Sequence, residues 1–372
     1  MKVEHSSGTS ALSDQHLVLR HHLFIGITID VQNDTKKRPE VAPDAFRVML
    51  TGFGPFMHYT ENPSWLAVKP LQNVVLQTGV LPDNTPQPSF STTSSIPTSS
   101  SNITPISQGP STPRPIHITT LQIPVLYHAV LDIVPGLHAR PPILPPDASE
   151  ECAEPPDNAY DFIFHIGVAG RGPLRMERLG HKYGYHMKDA SGKLAPVVRV
   201  SPKDFTRHEG PSVSVDGVGV GTLSPPISAA ESMERERLGM DMTESSGDTM
   251  VRPTRGFGVN YENFQEEYTT HIDVTRLVQD LKRSGVEQIY TSMDAGHYLC
   301  DFIYYCSLAE VKRSSKPYEK RRNTQVLFLH CPPVGQPLTT KEVTDAIKKI
   351  IIWVCSEQQI DDERDDAVVA AG

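Results

Sequence analysis

Hydrophobic positions recur along the chain with two different periods. Five short apolar runs bounded by polar or turn-forming residues predict strands at 47–50, 116–123, 160–166, 288–292 and 325–330. Four stretches with helical spacing predict helices at 62–71, 125–137, 274–283 and 339–354. Because strands and helices follow one another in turn, we predict an α/β fold: a single three-layer α/β/α domain with a mostly parallel central sheet.

Local signals refine two of the helix starts. Asn62 followed by Pro63 is typical of an N-cap and of the first helical position. The small, turn-forming pair Ala295-Gly296 follows the strand predicted at 288–292, and residues with helical spacing come next. Cys300 is therefore predicted to lie in the first turn of a helix, just after a strand and a tight bend.

Several segments show neither period. They are the N-terminal extension 1–45, the insertions at about 79–115, 141–156 and 201–256, and the acidic tail 357–372. Segments of this composition bury too little apolar surface to offset the ordering of the backbone, which costs about 1–2 kcal/mol per residue. We therefore expect these segments to be disordered or poorly ordered, and the folded domain to span 46–356.

Composition and charge narrow the class of protein. The net charge is −9 and the basic residues do not gather into a stripe, so no nucleic-acid partner is expected. The five cysteines give no disulfide framework, and no Cys or His spacing suits a structural zinc ion. The best apolar run near the start, 23–29, is too short to span a bilayer. We expect a cytoplasmic protein that binds no membrane.

Four segments that could carry chemistry follow predicted strands, where ligand sites of α/β sheets lie. They contain the aromatic pair of TGFGPF, then Cys300, His330 at the end of QVLFLH, and Glu177 in MERLGH. A helix start lowers the pKa of a thiol by only about one unit, so Cys300 also needs a cationic neighbour. Together the segments supply a nucleophile, a base and a carboxylate to orient the base.

Each of these residues also has a purely structural interpretation. The two phenylalanines of TGFGPF can complete the core, and Cys300 can be a small apolar core residue. His330 can hydrogen-bond to backbone at the end of a buried strand, and Glu177 can pair with Arg175 or Arg178. Taken singly, none of the segments decides between structure and catalysis.

The order of five motifs resembles the pyroglutamyl peptidase I family, the pyrrolidone-carboxylate peptidases, and its eukaryotic members in particular. The motifs are TGFGPF…NPSW, IPV.Y, HIGVAG…ER.GH..GY, DAGHYLCDF.YY.SL and LHCPPVGQP. The resemblance covers about 47–73, 116–137, 161–190 and 274–354. It implies a cysteine omega-peptidase that removes N-terminal pyroglutamate from peptides through a thioester, in one α/β/α domain, without cofactor or metal.

The resemblance also implies roles for particular residues. It assigns the nucleophile to Cys300, the base to His330 and the carboxylate to Glu177. The residues that would bind the pyroglutamyl ring are Phe53, Phe56, Tyr298, Leu299 and, through its backbone, Val168.

This chain departs from the family pattern in several places. Met57 stands where glycine is usual, and the segment 170–177 is one residue short, with Arg175-Met176 in place of Thr-Leu. The insertion at 201–256 replaces a shorter loop, and 79–115 has no counterpart. An alternative is therefore an inactive scaffold that binds partners through its insertions. A cysteine-dependent phosphatase is not expected, because no arginine follows Cys300 closely. The oligomeric state stays open.

Overall fold

The computed structural model of the chain describes residues 39–81, 110–149, 151–198, 254–315 and 323–371. These residues lie in one compact unit, which runs from Arg38 to Gly372. The predicted disorder of 1–38, and of most of the insertions at 79–115 and 201–256, lies outside the described residues.

A seven-stranded sheet forms the centre of the described part, with the strand order β2-β3-β1-β4-β9-β5-β8. The strands are β1 Phe46–Phe53, β2 Val75–Gln77, β3 Pro115–Ile123, β4 Phe162–Val168, β5 Leu174–Glu177, β6 Leu179–His181, β7 Glu267–Thr269, β8 Ile289–Ser292 and β9 Gln325–Cys331. Neighbours among β3, β1, β4 and β9 are parallel, whereas β2 is antiparallel to β3 and β5 is antiparallel to β9. Strand β8 is parallel to β5, and β6 pairs with β7 in a separate sheet. The prediction of a mostly parallel sheet is confirmed.

Helices cover both faces of this sheet. They are α1 Pro63–Val68, α2 Tyr127–Leu137, α3 Val274–Arg283, α4 Leu299–Ser314 and α5 Thr340–Ala371. Apolar side chains of α1, α3 and α5 pack with one face of the sheet, and those of α2 and α4 pack with the other. Alternate residues of β1 serve the two cores: Val48 and Leu50 face one side, and Met49 faces the other. The three-layer α/β/α prediction is confirmed.

The loop after β1 is held by the start of α1. Asn62 is the N-cap, as predicted: its side-chain oxygen accepts from the Ser64 N–H at 3.1 Å, and its amide donates to the Gly54 carbonyl at 3.1 Å. The Ser64 hydroxyl in turn accepts from the Phe53 N–H at 3.0 Å. The first three residues of TGFGPF therefore end β1, and Gly54, Pro55 and Phe56 begin a fixed loop at its carboxyl end. Helix α1 is shorter than predicted, because a 3₁₀ turn follows at Lys69–Leu71.

The acidic tail forms helix, so the prediction of a disordered tail at 357–372 is wrong for the residues up to Ala371. Helix α5 continues through this segment because several of its polar side chains find partners. Glu357 receives two hydrogen bonds from Arg276, at 2.6 and 2.9 Å, and Gln359 receives one from Thr78 at 2.7 Å. Polar contacts with other elements stabilise this last part of α5, in which no apolar side chain after Cys355 is fully buried among the described residues.

The Pro-rich segment 141–156 has no helix or strand, yet it packs against the domain. Cys152 and Ala153 are buried, and the carbonyl of Glu151 accepts from the Asn73 side chain at 2.8 Å. The expectation of a disordered insertion here is wrong for the described residues 141–149 and 151–156. Among the helices of the described ranges, none combines the length and the apolar character needed to cross a lipid bilayer.

Candidate functional site

Two of the predicted site residues meet at the boundary between β5 and β9. Glu177 is opposite Phe328 in the antiparallel pairing, and His330 follows two residues later, so Glu177 and His330 lie on the same face of the sheet. The Nδ1 atom of His330 lies 2.7 Å from Oε1 of Glu177. The side chains are 1% and 0% exposed, so bulk water competes little for this hydrogen bond.

The hydrogen bond selects one tautomer of His330. An ionised carboxylate can only accept, so Nδ1 carries the proton and the second ring nitrogen, Nε2, lies on the opposite edge of the ring. The backbone of Glu177 is held from α4, because the Tyr304 hydroxyl donates to the Glu177 carbonyl at 3.0 Å. Nε of Arg175 lies 3.8 Å from Oε1 of Glu177 and adds a positive charge beside the carboxylate.

The thiol of Cys300 lies over the strand next to His330. Cys300 is the second residue of α4, as the predicted position in a first helical turn requires, and its side chain is partly exposed. Gly167 of β4 is in register with His330 of β9, and a Cβ built on Gly167 would lie 2.8 Å from Sγ of Cys300. Adjacent strands are about 4.8 Å apart, so the thiol and the imidazole occupy neighbouring positions on one face. The structure thus brings Cys300, His330 and Glu177 to one place.

The residues predicted to bind the ring lie around the start of α4. Tyr298 is the N-cap residue of α4, and its ring centroid lies 5.6 Å from that of Phe56. Phe53 and Leu299 are buried in the core beneath them, and Val168 ends β4 one residue after Gly167. A cavity of about 520 Å³ opens beside Phe56; its lining residues are Pro55, Phe56, Met57, Tyr59, Thr60, Lys188, Asp189 and Ala190. Of the five residues predicted to bind the ring, Phe56 lines this cavity, whereas Phe53, Tyr298, Leu299 and Val168 do not.

Sequence comparison finds relatives of this chain among known proteins. Pyroglutamyl-peptidase 1 of Mus musculus and that of Homo sapiens are each 22% identical to this chain over 306 residues, which cover 82% of this chain and 87% of the relative. The chain resembles pyroglutamyl peptidase I over most of its length. The resemblance predicted from the motifs is therefore confirmed. No model of a protein family matches the chain.

Solved structures of pyroglutamyl peptidase I also match. The enzyme from Bacillus amyloliquefaciens has a TM-score of 0.42 at 18% identity and covers 82% of this chain and 95% of its own. Pyrrolidone carboxyl peptidase from Thermococcus litoralis has a TM-score of 0.46 at 13% identity and covers 86% of this chain and 96% of its own.

Sequence reasoning missed several residues next to the site. Gly167 lies within the HIGVAG motif of the resemblance to pyroglutamyl peptidase I, and a glycine inside an otherwise apolar strand is a signal of close approach. Asp301 follows Cys300 directly and is fully buried, where it contacts His181 and His297. The four-residue spacing of His297 and Asp301 was the available sequence signal for this group.

Burial and mutual contact shift the pKa values in this group. Loss of hydration raises the pKa of Asp301, and the two histidines oppose that rise. Burial acts to lower the pKa of His181, but the hydrogen bond to Asp301 and the nearby acidic groups outweigh it, so the pKa of His181 is raised. The effect of burial therefore prevails at Asp301, whereas the effect of the acidic neighbours prevails at His181.

Limited alkylation is expected to modify Cys300 before the other cysteines. The other four are buried, and burial raises the pKa values of Cys306 and Cys355 and raises that of Cys331 to about 12, so these thiols hold little thiolate near neutral pH. Peptide mapping by mass spectrometry after limiting iodoacetamide at pH 6–7 measures this order, with the urea-unfolded chain as the control. Equal labelling of a buried cysteine in the folded chain would contradict it.

Replacing Gly167 by alanine is expected to lower the free energy of unfolding by about 1–3 kcal/mol, because the new methyl group overpacks the site. The added Cβ would lie 2.8 Å from Sγ of Cys300 and 2.7 Å from Cζ of Phe328. Gly79→Ala is the matched control, since no atom lies within 4 Å of a Cβ at that position. Equal stability of the two variants in urea unfolding would contradict the close packing of Cys300 and Phe328 over Gly167.

Proposed function

We propose that this chain is a cysteine peptidase that removes N-terminal pyroglutamate from peptides. The observation that carries the proposal is the buried His330–Glu177 hydrogen bond, 2.7 Å long, beside the strand position over which the Cys300 thiol lies. Similarity to pyroglutamyl-peptidase 1 over 82% of the chain supports the substrate class. The placement of the three side chains supports the roles of nucleophile, base and orienting group that acyl transfer requires.

In the proposed reaction, Nε2 of His330 accepts the proton of the Cys300 thiol. The thiolate attacks the carbonyl carbon of the pyroglutamyl residue, and the C=O electrons move onto oxygen to give a tetrahedral intermediate. When this intermediate collapses, the C–N bond breaks and His330 gives its proton to the departing amine of the peptide. Glu177 stabilises the imidazolium that exists between the two proton transfers.

The thioester is then hydrolysed by the same groups. His330 accepts a proton from water as the water oxygen attacks the thioester carbonyl, and the proton returns to the sulfur as pyroglutamate leaves. In both halves negative charge develops on the carbonyl oxygen, and the first turn of α4 presents amide N–H groups at that end of the helix. Such donors typically contribute about 10²–10³ in rate each.

The surroundings of the thiol suit an uncharged ring. Aromatic faces of Phe56 and Tyr298 lie together at the start of α4, above a core that includes Phe53 and Leu299. The lactam N–H and C=O of pyroglutamate need partners once they leave water, and we assign these to backbone groups near Val168. A prolyl residue would instead bring a charged amine into the same apolar space.

The proposed setting is the cytoplasm. A nucleophilic thiol stays reduced in that compartment, and all five cysteines of the chain are present as thiols. The proposed partner is a peptide with N-terminal pyroglutamate.

Selectivity for the lactam is the first test of the proposal. Pyroglutamyl-naphthylamide is expected to be cleaved with a kcat/KM about 10⁴-fold higher than prolyl-naphthylamide, because a site built to pair the polar groups of one ring rejects the ring that lacks them. Release of naphthylamine measures both rates. Comparable cleavage of the two substrates would contradict the assigned pocket. A folded chain that cleaves neither would favour the inactive scaffold.

Replacement of the three central residues tests the mechanism. Cys300→Ser and His330→Ala are expected to remove measurable hydrolysis, and Glu177→Gln is expected to lower kcat by about 10²–10⁴-fold through loss of the imidazolium partner. Glu287→Gln is the control, because Glu287 is exposed. Circular dichroism checks that each variant is folded. Full activity of Cys300→Ser would mean that another residue is the nucleophile.

A further inference from the structure

A second group of ligating side chains lies next to Cys300 and has no part in the proposed reaction. His181 ends β6, His297 lies in the turn before α4, and Asp301 lies in the first turn of α4. One ligand atom of each lies within 4.8 Å of the others, and we refer to these three residues as the His/Asp cluster. Two segments, the end of β6 and the start of α4, thus bring two imidazoles to one carboxylate.

The distances from the two histidines to Asp301 are close to those between ligands of one metal ion. Nδ1 of His181 lies 3.2 Å from Oδ2 of Asp301, and Nδ1 of His297 lies 3.7 Å from the same oxygen. Two ligand atoms on one tetrahedral zinc ion, with bonds of about 2.0–2.2 Å, lie about 3.3–3.6 Å apart. The ligand nitrogens of the two histidines lie within 4.8 Å of each other, so ring rotations that bring them closer would complete the geometry.

The carboxylate of Asp301 is already oriented by other groups. Its side chain is fully buried, Oδ1 accepts from the His181 backbone N–H at 3.1 Å, and Oδ2 accepts from the Tyr185 hydroxyl at 2.9 Å. Hydrogen bonds of this kind hold ligating carboxylates in position in metalloproteins. Asp301 therefore already has supporting hydrogen bonds of the kind that orient the ligands of a metal site.

One ring nitrogen of the His/Asp cluster lacks a hydrogen bond within the described residues. Nδ1 of His297 is buried and has no hydrogen-bond partner within the described residues. The space beside it depends on Gly184, whose φ is +104° and whose Cβ, if present, would lie 2.9 Å from that nitrogen. An unsatisfied buried nitrogen is costly, and coordination to a cation would satisfy it. The side chains of His181 and His297 are 18% and 19% exposed, which gives an ion a path from solvent.

We propose that His181, His297 and Asp301 bind a divalent transition-metal ion of the zinc class, with water in the remaining coordination position. Two neutral imidazoles and one carboxylate are ligands that such ions accept. The bound ion would tie the first turn of α4 to β6, one residue from Cys300. The site is independent of the proposed peptidase activity, because neither His330 nor Glu177 contributes to it.

The test uses the full-length Cys300→Ser variant, in which the proposed nucleophile cannot bind metal. One equivalent of Co²⁺ is expected to give the intense visible absorption of a tetrahedral site, and Zn²⁺ is expected to displace it. Zn²⁺ is also expected to raise the Tm. Adding His297→Gln is expected to weaken Zn²⁺ binding at least about tenfold, measured by calorimetry, and to abolish the shift in Tm.

His128→Gln in the same background is the matched control, because His128 is exposed on α2 and lies outside the cluster. Its Zn²⁺ affinity is expected to equal that of the parent. Circular dichroism of the His297→Gln variant checks that the fold is retained. Unchanged affinity in that variant, or no stoichiometric binding by the parent, would overturn the proposal and leave the cluster as a hydrogen-bonded support for α4.

Discussion

The hydrogen bond between His330 and Glu177 requires one particular pairing of strands β5 and β9 in the central sheet. A carboxylate removed from water is tolerated only where partners replace its hydration, and here those partners are the imidazole and the nearby guanidinium of Arg175. The antiparallel pairing of β5 with β9 supplies them, because it sets Glu177 and His330 on one face. A slip of one residue in this pairing would turn Glu177 into the apolar core on the other side.

The start and the first two turns of helix α4 carry several residues that form or support the candidate site. Tyr298 at its start contacts the aromatic loop, Cys300 lies over the sheet, and Asp301 reaches back toward β6. One turn later, Tyr304 holds the backbone of Glu177. Since these residues share one rigid element, the position of the thiol relative to the carboxylate is set by the packing of a single helix rather than by a flexible loop.

Sequence reasoning predicted those helices and strands whose hydrophobic pattern extends over enough residues to be recognised. Helix α3, Val274–Arg283, has the predicted bounds, since a wide apolar stripe and an Asp273 N-cap specify it locally. Strand β5 was missed, because four residues show no period and it becomes a strand only by pairing with β8 and β9. Dependence on contacts between distant segments also limits what the sequence predicts about the site. Cys300 and His330 stand out because they follow or end predicted strands. The burial of Glu177, by contrast, depends on contacts that form only in the folded chain.

The long reach of α5 has a consequence for the segment between β2 and β3. Gln359 and Glu363, one turn apart on α5, hold the flanks of that segment through Thr78 on one side and Ser111 on the other. The two strands already pair with each other, so both ends of the intervening chain are anchored near one another whatever its length. The entropy of closing such a loop grows only slowly with added residues. Evolution could therefore lengthen or shorten this connection with little effect on the sheet or on the thiol, which lies over β4, three strands away from β2.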